Sequence, residues 1–225
     1  MQNVTDRTSN PFGMRPSCDR YVPGYGDANA NFHVVGDHPR VHGGIDTGVP
    51  FTNDAGLRLQ RALNEGGLLQ SVGVEPEAEG TFLSYLHMCE VDGDRDPTPA
   101  EYGDMERFFD AELRAIAAHV LLPVGLRATT HVLENYSAQL GKVDLDMDRL
   151  HGTEIRGSGF LVVPIKEPAE WTDGDGGDPE TNGGEGAPTD HDRLVAGLRE
   201  LQSTDFRREV DLGRFLAGDE SYMVR

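Results

Sequence analysis

The chain has 225 residues, 37% of them hydrophobic, with 39 acids against 20 bases and a formal net charge of −19. This length suits one α/β domain with an added tail. No stretch reaches the roughly 20 apolar residues of a membrane span, and residues 1–7 carry no apolar signal region, so a cytoplasmic location is expected.

Only two of the bases are lysines, Lys142 and Lys166, and the acids are spread along the whole chain. A folded, acidic, lysine-poor chain suggests a halophile, because molar salt screens like charges to about 3 Å. The alternative is an ordinary acidic protein with a disordered tail. In dilute buffer this charge opposes duplex binding, which draws on Lys and Arg to neutralise phosphates. Cys18 and Cys89 form no CxxC pair and no zinc spacing; the pair can form a disulfide, and two free intracellular thiols are expected.

In chain order, residues 1–30 are polar and rich in Pro and Gly, an irregular lead-in. Phe32, His33, Val34 and Val35 form a short apolar run that ends at Gly36, the pattern of a parallel strand. After a glycine-bordered loop, Asn53 or Asp54 can cap a helix whose Ala55, Leu59, Ala62 and Leu63 share a face. A second strand is expected over 81–89. Thr98, Pro99 and Glu101 make a capping box ahead of an amphipathic helix bearing Tyr102, Met105, Phe109, Leu113 and Ile116. A third strand over 119–124, a helix over 126–135 and a fourth strand over 160–164 follow. This alternation predicts a three-layer α/β/α sandwich with a four-stranded parallel sheet spanning 31–169. Residues 170–192 hold eight acids, no Lys or Arg and many glycines, and read as a flexible acidic loop. Residues 193–225 read as a helical extension packing back on the domain.

In a parallel sheet, ligands bind beyond the carboxyl ends of the strands. That edge holds Asp37, the segment after Cys89, Gly125 and the Lys166, Glu167, Pro168 run. An acid at position 37 can polarise water or stabilise a cation; it can equally form the turn. Phe51 offers an aromatic wall or an ordinary core ring. His38 and His42 change charge near neutrality or simply tie down the loop.

The segment from Val34 to Pro39 resembles the first catalytic motif of the uracil-DNA glycosylase superfamily, in its thermostable iron–sulfur branch. His42-Gly43-Gly44, Thr47-Gly48 and Pro50-Phe51-Thr52 resemble a related branch that reads His-Gly-Gly, Thr-Gly and Pro-Phe-Thr. Further similarities run through Val22-Pro23-Gly24-Tyr25-Gly26, Asp94-Arg95-Asp96-Pro97-Thr98-Pro99 with Glu101, Leu122-Pro123-Val124-Gly125, and Leu150-His151-Gly152 with Val162-Val163-Pro164. The resemblance covers 22–168, in fixed order and spacing.

The resemblance implies removal of uracil or another damaged base from DNA, single-stranded or flipped from a duplex. Asp37 would activate water and Phe51 would stack on the base. His38, Arg40 or His42 would stabilise the leaving base, Gly43 would shape the pocket, and Tyr85 takes the place of an Asn that reads the base edge. A one-residue shift would put Ser84 there. Glu167 replaces the His of a terminal His-Pro-Ser motif; an ionised carboxylate repels a uracil anion, and Glu167 would help only if protonated or if Lys166 or Arg40 supplied positive charge. The four cluster ligands fall at Ser9, Phe12, Cys89 and Met105, so no cluster and no other cofactor or metal is expected. A monomer is expected. The lost motifs equally allow a non-catalytic nucleic-acid or nucleotide binder, and the acidic loop allows an assembly factor.

Overall fold

The computed structural model describes residues 15–157, 159–172 and 188–206. In this part of the chain the strands are β1 (Tyr25–Gly26), β2 (Phe32–Gly36), β3 (Thr81–Tyr85), β4 (Val120–Pro123), β5 (Ile155–Arg156) and β6 (Leu161–Val162). They form one sheet in the order β1-β3-β2-β4-β6-β5. The inner four, β3, β2, β4 and β6, run parallel. β1 and β5 add antiparallel edges, so the expected four-stranded parallel sheet is the centre of a six-stranded mixed one.

The helices are α1 (Pro39–His42), α2 (Asp54–Glu65), α3 (Pro99–Ile116), α4 (Gly125–Asn135), α5 (Met147–Leu150) and α6 (Asp190–Ser203). Their starts follow local chemistry. The Asn53 side chain accepts the Gly56 N–H and opens α2. Thr98 and Glu101 close a reciprocal capping box on α3, with Pro99 in its first turn. Thr189 and Asp192 do the same for α6. Each such cap contributes about 1 kcal/mol.

β2 is buried along its whole length, as a strand covered on both faces must be. Its alternating side chains build two cores. Val34 packs with Leu59, Leu63, Leu122 and Leu198, under α2 and α6. Val35 packs with Phe109, Leu113, Leu121 and Val132, under α3 and α4. Each leucine so buried contributes about 2 kcal/mol of transfer free energy. The three-layer sandwich therefore stands.

Three expectations are corrected. The cysteines are not free: Cys18 and Cys89 form a disulfide across 71 residues. The antiparallel bridge between Tyr21 and Cys89 brings the lead-in beside the end of β3, a proximity that spacing could not reveal. The lead-in is also not wholly irregular, since it carries β1 and the buried Val22. The expected loop over 170–192 is not loop at its two ends. Trp171 is buried and donates from Nε1 to the Lys166 carbonyl at 2.9 Å, and Asp190 already belongs to α6. Residues 173–187, and 207–225 of the expected extension, lie outside the described residues, as do residues 1–14.

Candidate active site

β2 delivers Asp37 to the carboxyl edge of the sheet. The backbone continues the ladder there, with the His87 N–H donating to the Asp37 carbonyl at 3.0 Å. The Asp37 side chain is held from two sides. Tyr102 of α3 donates its hydroxyl to Asp37 Oδ1, and Arg127 of α4 places Nε 3.3 Å from Oδ2. The Arg127 guanidinium lies 4.6 Å from the Tyr102 ring centroid. Burial, then the hydrogen bond and charge of Asp37, raises the Tyr102 pKa far above its ordinary value, so Tyr102 stays a donor. Sequence reading missed both partners. Tyr102 reads as one more position on an amphipathic face, and Arg127 stands on a helix one turn past β4 with no motif around it.

Asp37 opens into a cavity of about 970 Å³ between α3, α4 and the segment after β6. This volume is ample for a nucleobase. Glu167 lines the same cavity. It arrives there because Val124 and Ile165 pair as a parallel bridge, extending β4 and β6 beyond their ends. Its carboxylate faces His42, whose Nε2 lies 3.0 and 3.2 Å from the two oxygens. His42 is fully buried and its Nδ1 has no partner among the described residues. The ring proton therefore belongs on Nε2, donated to Glu167.

Phe51 does not share this cavity. It is 1% exposed, at φ 62°, and the ring lies 5.1 Å from His42 and 5.2 Å from Tyr85 between centroids. The Phe51 N–H donates to the Tyr85 hydroxyl at 2.7 Å, and that hydroxyl donates to the Gly43 carbonyl at 3.0 Å. Tyr85 thus spends both hydrogen-bonding capacities inside the protein. Burial raises its pKa far above the ordinary value. The expectation that Phe51 is open to stack on a base is corrected in favour of a core ring: its face is covered by Tyr85 and His42. A β-carbon at Gly36 would lie 2.7 Å from both the Phe51 and the Tyr85 ring, so glycine before Asp37 is what lets these rings close under β2.

The remaining candidates sit elsewhere. His38 is buried, 3.6 Å from Asp96, and burial lowers its pKa. Arg40 is half-exposed and pairs with Asp94 and with Asp96, the latter at 2.9 Å. Gly43 ends α1 at φ 85°, where a β-carbon would strike the Asn53 nitrogen at 2.4 Å. These three border a second hollow that includes Cys89 but neither Asp37 nor Glu167. Ser84, the shifted alternative, bonds His33 in the interior at 2.7 Å. Lys166 pairs with Asp148 at 2.7 Å and Asp190 at 3.4 Å.

A profile of the uracil DNA glycosylase superfamily matches residues 23–175. The chain belongs to this superfamily. It is similar to the type-4 uracil-DNA glycosylase of Saccharolobus solfataricus, 25% identical over 66% of this chain and 65% of that protein. It is similar to the type-5 uracil-DNA glycosylase of Pyrobaculum aerophilum, 30% identical over 67% and 66%. The type-5 enzyme of Thermus thermophilus is 35% identical over 45% and 48%. The chain thus spans about two thirds of the first two relatives and about half of the third.

The donor set does not fit an iron–sulfur cluster. Ser9 and Phe12 lie outside the described residues and have no thiolate to give. Cys89 is bonded to Cys18, and its sulfur lies 3.6 Å from the thioether of Met105. Clusters are held by thiolates. No helix among the described residues is long and apolar enough to cross a membrane.

Proposed function

We propose that this chain is a DNA base-excision glycosylase that hydrolyses the N-glycosidic bond of uracil or another damaged base. The observation that carries this reading is Asp37, a carboxylate at the end of the central strand, fixed by Tyr102 and Arg127 at the wall of a base-sized cavity. So placed, it can orient water for attack on the sugar and stabilise positive charge on the ring as the bond opens. Superfamily membership supports the same chemistry. The reading takes the protein as a cytoplasmic monomer acting on single-stranded DNA or a flipped base, with no metal or organic cofactor.

A second reading, a binder without turnover, is favoured by one observation: the Phe51 face is closed by Tyr85 and His42. Incubation in molar salt with oligonucleotides bearing uracil, hypoxanthine or xanthine, followed by alkaline cleavage of abasic sites, separates the two. Product that disappears in Asp37→Ala supports the enzyme. Binding without product on every substrate supports the binder.

A further inference from the structure

The cavity beside Asp37 is acidic. Asp37, Glu106, Glu134, Glu167 and Glu170 line it, and among the described residues Arg127 is the only lysine or arginine on its wall. That arginine is already paired with Asp37. Glu167 is held by His42, whose Nε2 faces both of its oxygens at 3.0 and 3.2 Å, and an ionised carboxylate so held accepts hydrogen bonds. Gly125, at φ +80°, keeps room for it: a β-carbon there would lie 3.1 Å from Glu167 Oε2. Such a wall repels a base that leaves with negative charge. It attracts one that already carries positive charge and presents N–H donors.

We infer that the substrates of this site are cationic, N-alkylated purines in DNA, with N7-alkylguanine the representative case. The inference rests on the glycosylase reading above. N7-alkylguanine carries its charge in the imidazole ring and presents adjacent donors, N1–H and the 2-amino group, which one carboxylate can accept as a pair. The C1′–N9 bond breaks, and its electron pair neutralises the purinium, so the base leaves neutral. The water oxygen bonds C1′, and its proton passes through Asp37 to solvent. No group has to protonate the leaving base or hold an anion. Uracil would leave as an anion beside these carboxylates.

The test compares release of N7-methylguanine, uracil and hypoxanthine from otherwise identical duplexes at the lowest KCl concentration at which the fold holds, where the acidic wall is least screened, corrected for spontaneous depurination. Release of N7-methylguanine should exceed that of either neutral base by about tenfold or more. Glu167→Gln, and the surface pair Glu106→Gln with Glu134→Gln, should each narrow that ratio. The double variant changes only exposed helix positions, so it reports even where Glu167→Gln disturbs folding. Equal or faster release of a neutral base would overturn the inference while leaving the glycosylase reading intact. Should no base be released, the glycosylase reading fails, and binding to non-cleavable 2′-fluoro duplexes decides the rest. Tighter binding of the N7-methylguanine duplex, lost in Glu167→Gln, keeps the assignment of the site; equal affinity removes it.

Discussion

The ring of Tyr85 lies against that of Phe51, 5.2 Å between centroids, and its hydroxyl accepts the Phe51 backbone N–H at 2.7 Å. One side chain therefore both fills the space over the aromatic wall and fixes the backbone that carries it. The relation between these two residues keeps the Phe51 ring out of the cavity that holds Asp37.

Tyr85→Asn should open the Phe51 face. The truncation removes a buried ring and a two-sided hydrogen bond, and should cost about 3 kcal/mol or more of stability. If the covered ring is what withholds a uracil slot, the variant gains uracil release, measured on single-stranded substrate. Adding Glu167→His to the same chain should increase that gain. Unchanged uracil release in a folded double variant would place the restriction elsewhere.

Tyr102→Phe should leave Asp37 held by Arg127 alone. A lost charged hydrogen bond of this kind is worth about 1.4 kcal/mol or more, so base release should fall by about tenfold with little change in melting temperature. Asp37→Asn should fall by about a hundredfold or more. Single-turnover rates on the best substrate measure both.

The disulfide should be a large part of the stability of the lead-in. Closing 71 residues removes about 4 kcal/mol of unfolded-chain entropy in the simplest account. Cys18→Ser, or reduction, should lower the melting temperature by roughly 10 °C. Proteolysis at the freed segment ahead of β1 should speed up in parallel.

Glu112 gives the pH dependence. It is buried on α3 and accepts the Gly24 N–H at 3.2 Å, while its other oxygen has no partner among the described residues. Burial pushes its pKa up to about 8. The folded state therefore holds a proton that the unfolded chain releases near pH 4.5, the ordinary value. Stability from this group is complete below that pH and is lost as the pH rises toward about 8. Glu112→Gln should flatten the fall, with a higher melting temperature than the parent above neutrality and little difference in acid.

Much of the frame was legible because its signals are local. The apolar run into Gly36, the Thr98 capping box and Gly125 beyond Pro123 each carry their structure within a few residues, and each reappears in place. The position of Asp37 at the strand end followed from the same reading. What the chain did not disclose depends on partners far away. Tyr85 meets Phe51 across 34 residues, Tyr102 meets Asp37 across 65, and His42 meets Glu167 across 125. The cysteine pairing failed for the same reason, with the added pull of an expected intracellular setting. Two short antiparallel edges, β1 and β5, are too brief to leave a periodic pattern.

Three basic groups along the carboxyl edge have internal counterions: Arg40 with Asp94 and Asp96, Lys166 with Asp148 and Asp190, Arg127 with Asp37. A nucleic-acid phosphate meeting this edge must displace a protein carboxylate instead of finding a bare cation. Association is then an exchange of one anion for another, and little condensed sodium or potassium is set free. The logarithm of affinity should accordingly be nearly flat against the logarithm of salt, which leaves recognition to shape and to the damaged base itself.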